Sequence, residues 1–153
     1  RSAIVSCTKS SDNTGGGNNT ASYVTATQDK IWLLAEFEAF GTRYYANSAE
    51  QNYQKQYDYY KNGNSRVRYK HNDTGTACYW WLRSVNATNT NNFRLVNTDG
   101  SNSNNNANYS NGFAPGFKKT RPGPELVAKA KTAPQTLKES LHLGDWPRTG
   151  LQT

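Results

Sequence analysis

A chain of 153 residues is long enough for one domain with an extension, and 34% of its residues are hydrophobic. No apolar run approaches the roughly 20 residues that a membrane-spanning helix needs, so no membrane span is predicted. Ten Tyr, five Phe and four Trp can build a small aromatic core, and a net charge of +7 raises the question of an anionic partner.

The first twenty residues are rich in Ser, Thr, Asn and Gly, and this composition predicts a flexible linker that packs weakly. Residues 4–7 (IVSC) resemble the end of a bacterial lipoprotein signal, in which Cys7 would be lipidated, and this implies export. Residues 1–20 are therefore interpreted as a flexible linker or a lipoprotein tether. A disulfide between Cys7 and Cys78 is the alternative use of the two cysteines.

Residues 21–117 hold nearly all the aromatic residues and are predicted to form one α+β domain of short strands, one or two helices and much irregular loop. The apolar run at residues 31–34 predicts a buried strand. A capping box at residues 48–51 predicts the start of a helix that ends near Gly63. One face of that helix would carry a stripe of tyrosines, namely Tyr53, Tyr57 and Tyr60.

The alternation in residues 65–70 predicts a strand with one apolar and one basic face. Val67 and Tyr69 would point inward, and the outward residues would be Arg66, Arg68 and Lys70. This basic row could contact phosphates, but a solvated strand face is the favoured explanation.

Two apolar strand candidates, at residues 79–82 and 93–96, follow in the second half of the domain. The second ends at the turn signal of residues 97–100 (NTDG). Residues 112–117 (GFAPGF) then close the domain with two aromatic side chains.

Residues 118–153 differ in composition from the domain, because they contain no Asn and four of the five Pro residues. Seven basic side chains against three acidic ones give this segment a charge of +4. It is predicted to be a basic, Pro-containing C-terminal extension that is solvated.

Asparagine is concentrated between Asn86 and Asn111, where it occupies eleven of twenty-six positions. Asn is a poor strand and helix former but a good turn former, so a packing requirement does not explain this enrichment. Phe93 and Leu95 stand within the segment at strand spacing, which argues against a disordered loop. The pattern indicates scaffold positions that alternate with free positions.

Enzyme motifs are absent from the sequence: it has no GxSxG elbow, HExxH pair or Walker loop. The carboxylates show no recognisable glycosidase pair, and the two cysteines and two histidines lack metal-ligand spacing. We therefore predict no enzymatic activity, no catalytic residues, no metal and no cofactor.

Several stretches of the chain together resemble a bacterial and phage family with a C-type lectin-like fold, many of whose members are the variable proteins of diversity-generating retroelements. The stretches are residues 31–34 (IWLL), 36–42 (EFEAFGT), 46–53 (ANSAEQNY), 66–70 (RVRYK), 80–84 (WWLRS) and 112–117 (GFAPGF). The resemblance covers about residues 21–117. It departs from the family in the long extension after residue 117, and the calcium motif of sugar-binding lectins is absent.

The resemblance implies a binding protein whose variable positions are altered by mutagenesis at adenines, which Asn codons carry at their first two positions. The implied ligand-binding residues are Asn86, Asn89, Asn91, Asn92, Asn102, Asn104, Asn105, Asn106 and Tyr109. The implied scaffold residues are Trp80, Trp81, Phe93, Leu95, Phe113 and Phe117. We expect the two Trp and Phe117 to be largely buried, and the Asn side chains to be mostly exposed.

The expected partner is a protein or glycan on another cell or host. The expected location is secreted, on the cell surface (lipid-anchored through Cys7 in one interpretation) or on a phage virion. A basic nucleic-acid-associated module and a structural surface domain without a discrete ligand are the alternatives.

Overall fold

A computed structural model describes residues 3–120 of the chain. The predicted extension of residues 118–153 lies outside the described residues from residue 121 onward. Residues Ala3–Lys119 form one unit by their internal contacts.

The described chain consists mostly of strands joined by short helices and loops. The strands are β1 (Ile4–Val5), β2 (Cys7–Asp12), β3 (Val24–Asp29), β4 (Ile31–Leu33), β5 (Arg68–Lys70), β6 (Asp73–Cys78), β7 (Trp80–Val85), β8 (Asn92–Val96), β9 (Asn102–Asn106), β10 (Gly112–Phe113) and β11 (Pro115–Lys119). The α-helices are α1 (Glu36–Phe40) and α2 (Asp58–Lys61), and 3₁₀ helices span Ala21–Tyr23 and Ser48–Gln51.

The largest sheet has four strands in the order β10-β7-β8-β9. Its pairs are antiparallel except for β10 and β7, which run parallel. A three-stranded sheet has the order β1-β11-β4, and two hairpins pair β2 with β3 and β5 with β6. This small, strand-rich architecture is consistent with the predicted α+β class.

The hydrophobic core lies between the four-stranded sheet and the two α-helices. It consists of Leu34, Ala39, Tyr60, Trp80, Leu82 and Val96. Trp80 is 1% exposed and Trp81 is 8% exposed, which confirms the prediction that both are buried. Burying large aromatic side chains contributes much of the stability of a domain with so few aliphatic residues.

The apolar strands are where the sequence placed them. Residues 31–33, 80–85 and 92–96 are strands, and the chain reverses after β8 at residues 97–100. There the Gly100 N–H donates to the Asn97 carbonyl at 2.9 Å, and Gly100 has a φ of 86°. A positive φ of this kind favours glycine.

The prediction of a flexible linker over residues 1–20 is wrong for residues 4–12. Every residue of β2 pairs with β3, and Lys9, Ser10 and Asp12 are buried. The composition of these residues does not indicate a strand, because polar contacts rather than an apolar pattern hold β2 in place. β1 lies before Cys7 and pairs with β11, and Cys7 itself begins β2. Lipidation of Cys7 stays a prediction.

The predicted helix from Ser48 to Gly63 is also wrong. Asn47 rather than Ser48 caps the first turn, because Asn47 Oδ1 accepts the Ala49 N–H at 3.1 Å. The turn ends at Gln51, and Tyr53 adopts a left-handed φ of 60°, which breaks any helix. The second helical segment, α2, begins only at Asp58.

The two closing aromatic residues are exposed, contrary to the prediction that they form part of the scaffold. Phe113 is 70% exposed on the short edge strand β10, and Phe117 is 50% exposed on β11. Phe117 pairs with Ile31, which is exposed too, so this face of the three-stranded sheet is open. The opposite face is the buried one: a Cβ at Gly116 would lie 3.0 Å from Trp32 Nε1.

The faces predicted for residues 65–70 are wrong for Arg66, Arg68 and Tyr69, whereas the outward prediction holds for Lys70. Tyr69 and Lys70 are exposed, whereas Arg66 and Arg68 pack inward. Arg66 Nε donates to the Ala39 carbonyl at 2.8 Å, and Arg68 Nη2 donates to the Tyr60 hydroxyl at 2.7 Å. The flat guanidinium groups also stack on aromatic rings, which a strand pattern alone does not reveal.

Candidate functional site

The acidic side chains of the core serve the fold. Glu36 is fully buried, and its Oε2 accepts the backbone N–H groups of Tyr44, Tyr45 and Ala46 at 2.8–2.9 Å. Its Oε1 accepts the Nε of buried Arg94 at 2.5 Å. This one carboxylate therefore fixes the loop after α1 onto strand β8.

Glu38 joins the N-terminal hairpin to the central sheet in the same way. Its Oε1 lies 2.5 Å from Lys9 Nζ on β2, and its Oε2 lies 2.6 Å from Arg83 Nη1 on β7. Lys9 Nζ also stands 4.1 Å from the centre of the Trp32 ring. Two cations and an aromatic ring thus compensate the burial of one carboxylate.

Glu50 differs because its hydrogen-bond partners are neutral. Its Oε1 accepts the Asp12 backbone N–H at 3.0 Å, and its Oε2 accepts the Ser84 hydroxyl at 2.6 Å. Burial raises the pKa of Glu50 from 4.5 to about 7, against the lowering effect of these hydrogen bonds and of the Arg83 charge. Since Ser84 also accepts the Glu36 N–H, the group links three segments of the chain.

The predicted binding asparagines do not form one exposed face. Asn86 is only 5% exposed, and its Oδ1 accepts both the N–H and the hydroxyl of Thr88. Asn89 and Asn91 are exposed on the turn between β7 and β8, where Asn89 Oδ1 accepts the Asn91 N–H at 3.0 Å. The prediction of exposure is wrong for Asn86 and holds for this turn.

The asparagines of β8 and β9 are half-buried and bond to one another. The half-buried set is Asn92, Asn102, Asn104, Asn105 and Asn106. The Asn92 amide donates to Asn104 Oδ1, and Asn102 Oδ1 accepts Arg94 Nη2 at 2.9 Å. These side chains therefore support the sheet edge, and the prediction of mostly exposed side chains is wrong for them. Tyr109, just beyond, is exposed.

A cleft of about 820 Å³ opens beside the β5–β6 hairpin, and we call it the hairpin cleft. It is lined by Arg68, Tyr69, Lys70, His71, Asn72, Thr76, Ala77, Cys78, Tyr79, Trp80, Thr98, Ser110, Asn111, Gly112 and Phe113. Its volume lies within the range of roughly 300–1,000 Å³ that is typical of ligand sites.

The walls of the hairpin cleft are held by backbone contacts. The Gly112 N–H donates to the Tyr79 carbonyl at 2.8 Å, which aligns β10 with β7. Across the cleft, Trp80 Nε1 donates to the Arg66 carbonyl at 2.9 Å and anchors the segment that leads into β5. The β5–β6 hairpin and β10 therefore lie on either side of the start of β7.

A second depression, the apolar groove, adjoins the cleft. It encloses about 470 Å³ and is lined by Leu33, Trp81, Leu82, Arg83, Phe93, Ala107 and Phe113. Trp81 and Phe93 meet edge to face, with their ring centres 6.4 Å apart. Phe113 lines both the groove and the cleft, so the two depressions meet at this residue.

The residues predicted from the sequence and the residues of these two depressions overlap only in part. Trp81, Phe93 and Phe113 were predicted as scaffold, and the structure also places all three along the groove. Tyr69 was predicted to point inward and Tyr79 to lie in an apolar strand, whereas both are exposed at the cleft. Asn111 lines the cleft but was not among the predicted binding residues. None of the nominated binding residues lines the cleft or the groove.

The cysteines and acidic residues form no further centre in the described part of the chain. Cys7 and Cys78 are both free, so the alternative of a disulfide between them is not realised. Within residues 3–120, no three His, Cys, Asp or Glu side chains come together as a group that could hold a metal ion. No helix in this range is long and apolar enough to cross a membrane.

A family model described as a domain of unknown function, DUF6273, matches residues 1–123. The chain belongs to the DUF6273 family. The match includes residues 1–20, so the N-terminal hairpin is part of the DUF6273 domain, in agreement with the burial of β2. No curated protein matches the chain, and no solved structure matches it either. The resemblance of this DUF6273 domain to C-type lectin-like variable proteins stays a prediction.

Proposed function

We propose that the domain is a ligand-binding module without enzymatic activity, and that the hairpin cleft and the apolar groove form its binding surface. The observation that supports this proposal is the row of exposed aromatic side chains along the cleft, namely Tyr69, Tyr79 and Phe113. Exposed aromatic rings that line a concave surface, rather than standing singly, are typical of recognition sites. Tyrosine beside Asn and Ser is also the composition of antibody binding loops.

The state of the acidic residues supports binding rather than catalysis. General acid–base chemistry needs a carboxyl or imidazole group within reach of a bound substrate. Glu36, Glu38 and Glu50 are instead buried and bonded to the fold, and the hairpin cleft is lined by one imidazole, that of His71, with no Asp or Glu among its lining residues.

In more detail, we propose that the protein is a diversified adhesin with a C-type lectin-like fold, and that it is secreted or displayed on a surface. Asn89, Asn91 and Tyr109 remain its candidates for altered contact residues, because they are exposed. The asparagines within β8 and β9 leave the contact set, since they bond to the sheet. A protein or glycan ligand remains the expected partner.

The nucleic-acid alternative has less support than binding at the cleft. A phosphate-binding row needs several free cations, and the row predicted from the sequence consists of Arg66, Arg68 and Lys70. Arg66 and Arg68 are bonded to backbone carbonyls and stacked on rings, so only Lys70 is free to meet a phosphate.

Binding at the cleft can be tested with Tyr79→Ala and Phe113→Ala, compared with Tyr23→Ala as the control. Tyr23 is as exposed as Tyr79 but lies on the N-terminal hairpin side. The probes are lactose, chitotriose, 3′-sialyllactose, methyl glucuronide and two tetrapeptides, one of Glu and one of Gly and Ser. The binding of each probe is measured by NMR from the changes in amide chemical shifts.

We expect at least one probe to shift amides of the hairpin cleft. Loss of one aromatic contact should weaken that probe about tenfold or more, because aromatic stacking is worth roughly 1–3 kcal/mol. The control variant should bind like the natural chain. The proposal is wrong if no probe shifts the cleft amides, or if the control variant weakens binding equally.

A further inference from the structure

The hairpin cleft is positively charged. Two of its lining residues, Arg68 and Lys70, carry positive charges at neutral pH, and no residue that lines the cleft is acidic. Asp73 lies opposite Lys70 on the hairpin but does not line the cleft, and its hydrogen bond with Thr76 lowers the pKa of Asp73 and keeps it negatively charged. The cleft therefore favours an anionic group over a neutral or cationic one.

Only one of the two cations is free to contact a ligand. Arg68 donates from Nη2 to the Tyr60 hydroxyl and from Nη1 to the Val67 carbonyl at 2.9 Å, and its guanidinium stacks on Trp80. Lys70 is exposed and is in none of the ion pairs within 4 Å among residues 3–120, although its charge acts on Asp73, its neighbour on the paired strand. A single mobile ammonium group matches one carboxylate, whereas a polyanion needs a row of cations.

The other side chains of the cleft are suited to hydroxyl groups. Asn72 and Asn111 supply amides, each able to donate and accept, and Asn111 Nδ2 is buried without a partner in the described chain. Tyr79 and Phe113 present exposed aromatic surface, against which the C–H surface of a sugar ring can pack. Amides, aromatic surface and one cation are complementary to a polyhydroxyl ring with a carboxylate.

We propose that the hairpin cleft binds a carbohydrate unit that carries a single carboxylate, of the uronate or sialate class, with Lys70 as the residue that selects the charge. This inference rests on the proposed function, because it names the ligand class of the same cleft. An acidic peptide would satisfy Lys70 but would leave the amides and aromatic surface without matching hydroxyls and C–H surface.

The test uses the full chain and two matched pairs of probes. 3′-Sialyllactose is compared with lactose, and methyl glucuronide with methyl glucoside, by amide chemical shifts and dissociation constants; the tetrapeptide of Glu is the third arm. The two pairs distinguish a sialate from a uronate. Lys70→Gln is compared with Lys61→Gln, since Lys61 is also exposed but lies on α2, away from the cleft.

We expect at least one carboxylated sugar to bind about tenfold more tightly than its neutral partner, with shifts in the cleft. Lys70→Gln should remove that difference, and Lys61→Gln should preserve it. Equal binding of the neutral sugar, or binding of the Glu peptide alone, would overturn the inference while the proposed binding function stands. The absence of cleft shifts with every probe would overturn both.

Discussion

Glu50 is the residue whose environment is most sensitive to pH. Glu36 and Glu38 each lie against a buried cation, whereas Glu50 has no ion-pair partner within residues 3–120. Its raised pKa means that the folded protein holds a proton which the unfolded chain releases above about pH 4.5. Stability from this group is therefore complete below pH 4.5 and is lost as the pH rises to about 7.

We expect Glu50→Gln to remove this loss of stability. Glutamine mimics the protonated carboxyl: its oxygen can accept the Asp12 N–H and its amide can donate to Ser84. The free energy of unfolding of the natural chain, relative to the variant, should fall by about 3 kcal/mol between pH 5 and pH 8. Urea denaturation at several pH values measures the difference.

Asp58→Asn provides the control for this pH series. Asp58 is an exposed carboxyl whose pair with Lys55 is 3.5 Å long, so its loss should leave the slope unchanged. Parallel pH profiles for the natural chain and Glu50→Gln would contradict the assignment of the titration to Glu50.

At the scale of elements, the loop after β2 is a fixed part of the fold although residues 13–20 consist of Asn, Thr and Gly. The Gly17 N–H donates to the Asn86 carbonyl at 2.9 Å. Gly16 has a φ of 97°, and a Cβ there would lie 2.2 Å from the Asn89 carbonyl oxygen. The loop therefore lies directly against the turn between β7 and β8.

Gly16→Ala should destabilise the domain far more than Gly63→Ala. Both glycines have positive φ, but no atom lies within 4 Å of a Cβ placed at Gly63. We expect Gly63→Ala to cost about 1 kcal/mol from the backbone conformation alone. Gly16→Ala should cost roughly 3 kcal/mol or more, because two backbone carbonyls must move as well. Thermal and urea denaturation give both values, and equal losses would refute the close contact.

Elements held by apolar runs were predictable from sequence, and elements held by polar contacts were not. Residues 79–82 and 93–96 combine apolar side chains with turn signals, so β7 and β8 were expected. The buried polar residues of β2 depend on Glu38 and Glu50, which are distant in sequence. β9 consists of Asn and Ser and gains its order by pairing with β8.

The candidate site was predictable only in part, because it arises from long-range pairing. The parallel alignment of β10 with β7 brings Phe113 opposite Trp81, across more than thirty residues of chain. No local pattern encodes that contact. Of the asparagines between residues 86 and 111, only Asn111 lines the cleft, while several others bond within the turn and the sheet edge.

For the whole molecule, the N-terminal hairpin decides whether the domain folds. Deletion of residues 1–13 removes β1, β2 and Lys9, which leaves buried Glu38 with one cation instead of two. Breaking a buried pair costs roughly 3–5 kcal/mol, a large share of the 5–15 kcal/mol that stabilises a typical domain. We expect the deleted chain to lose cooperative unfolding, as measured by Trp fluorescence in urea.

Deletion of residues 1–3 is the matched control, since it leaves β1 intact. The control should unfold with the same midpoint as the full chain. If the longer deletion also kept that midpoint, the hairpin would be dispensable and the linker interpretation would be restored.

The pairing of β1 with β11 has a mechanical consequence. Ile4 lies opposite Lys119 and Val5 opposite Lys118, so the chain enters and leaves the domain at neighbouring points. Tension applied to both ends of the chain would act on the open end of the β1–β11 pair. The hydrogen bonds between the two strands would then break one after another instead of all together. If the domain is carried on a surface, pulling would first separate β1 from β11, while the salt bridges behind β2 keep the rest folded.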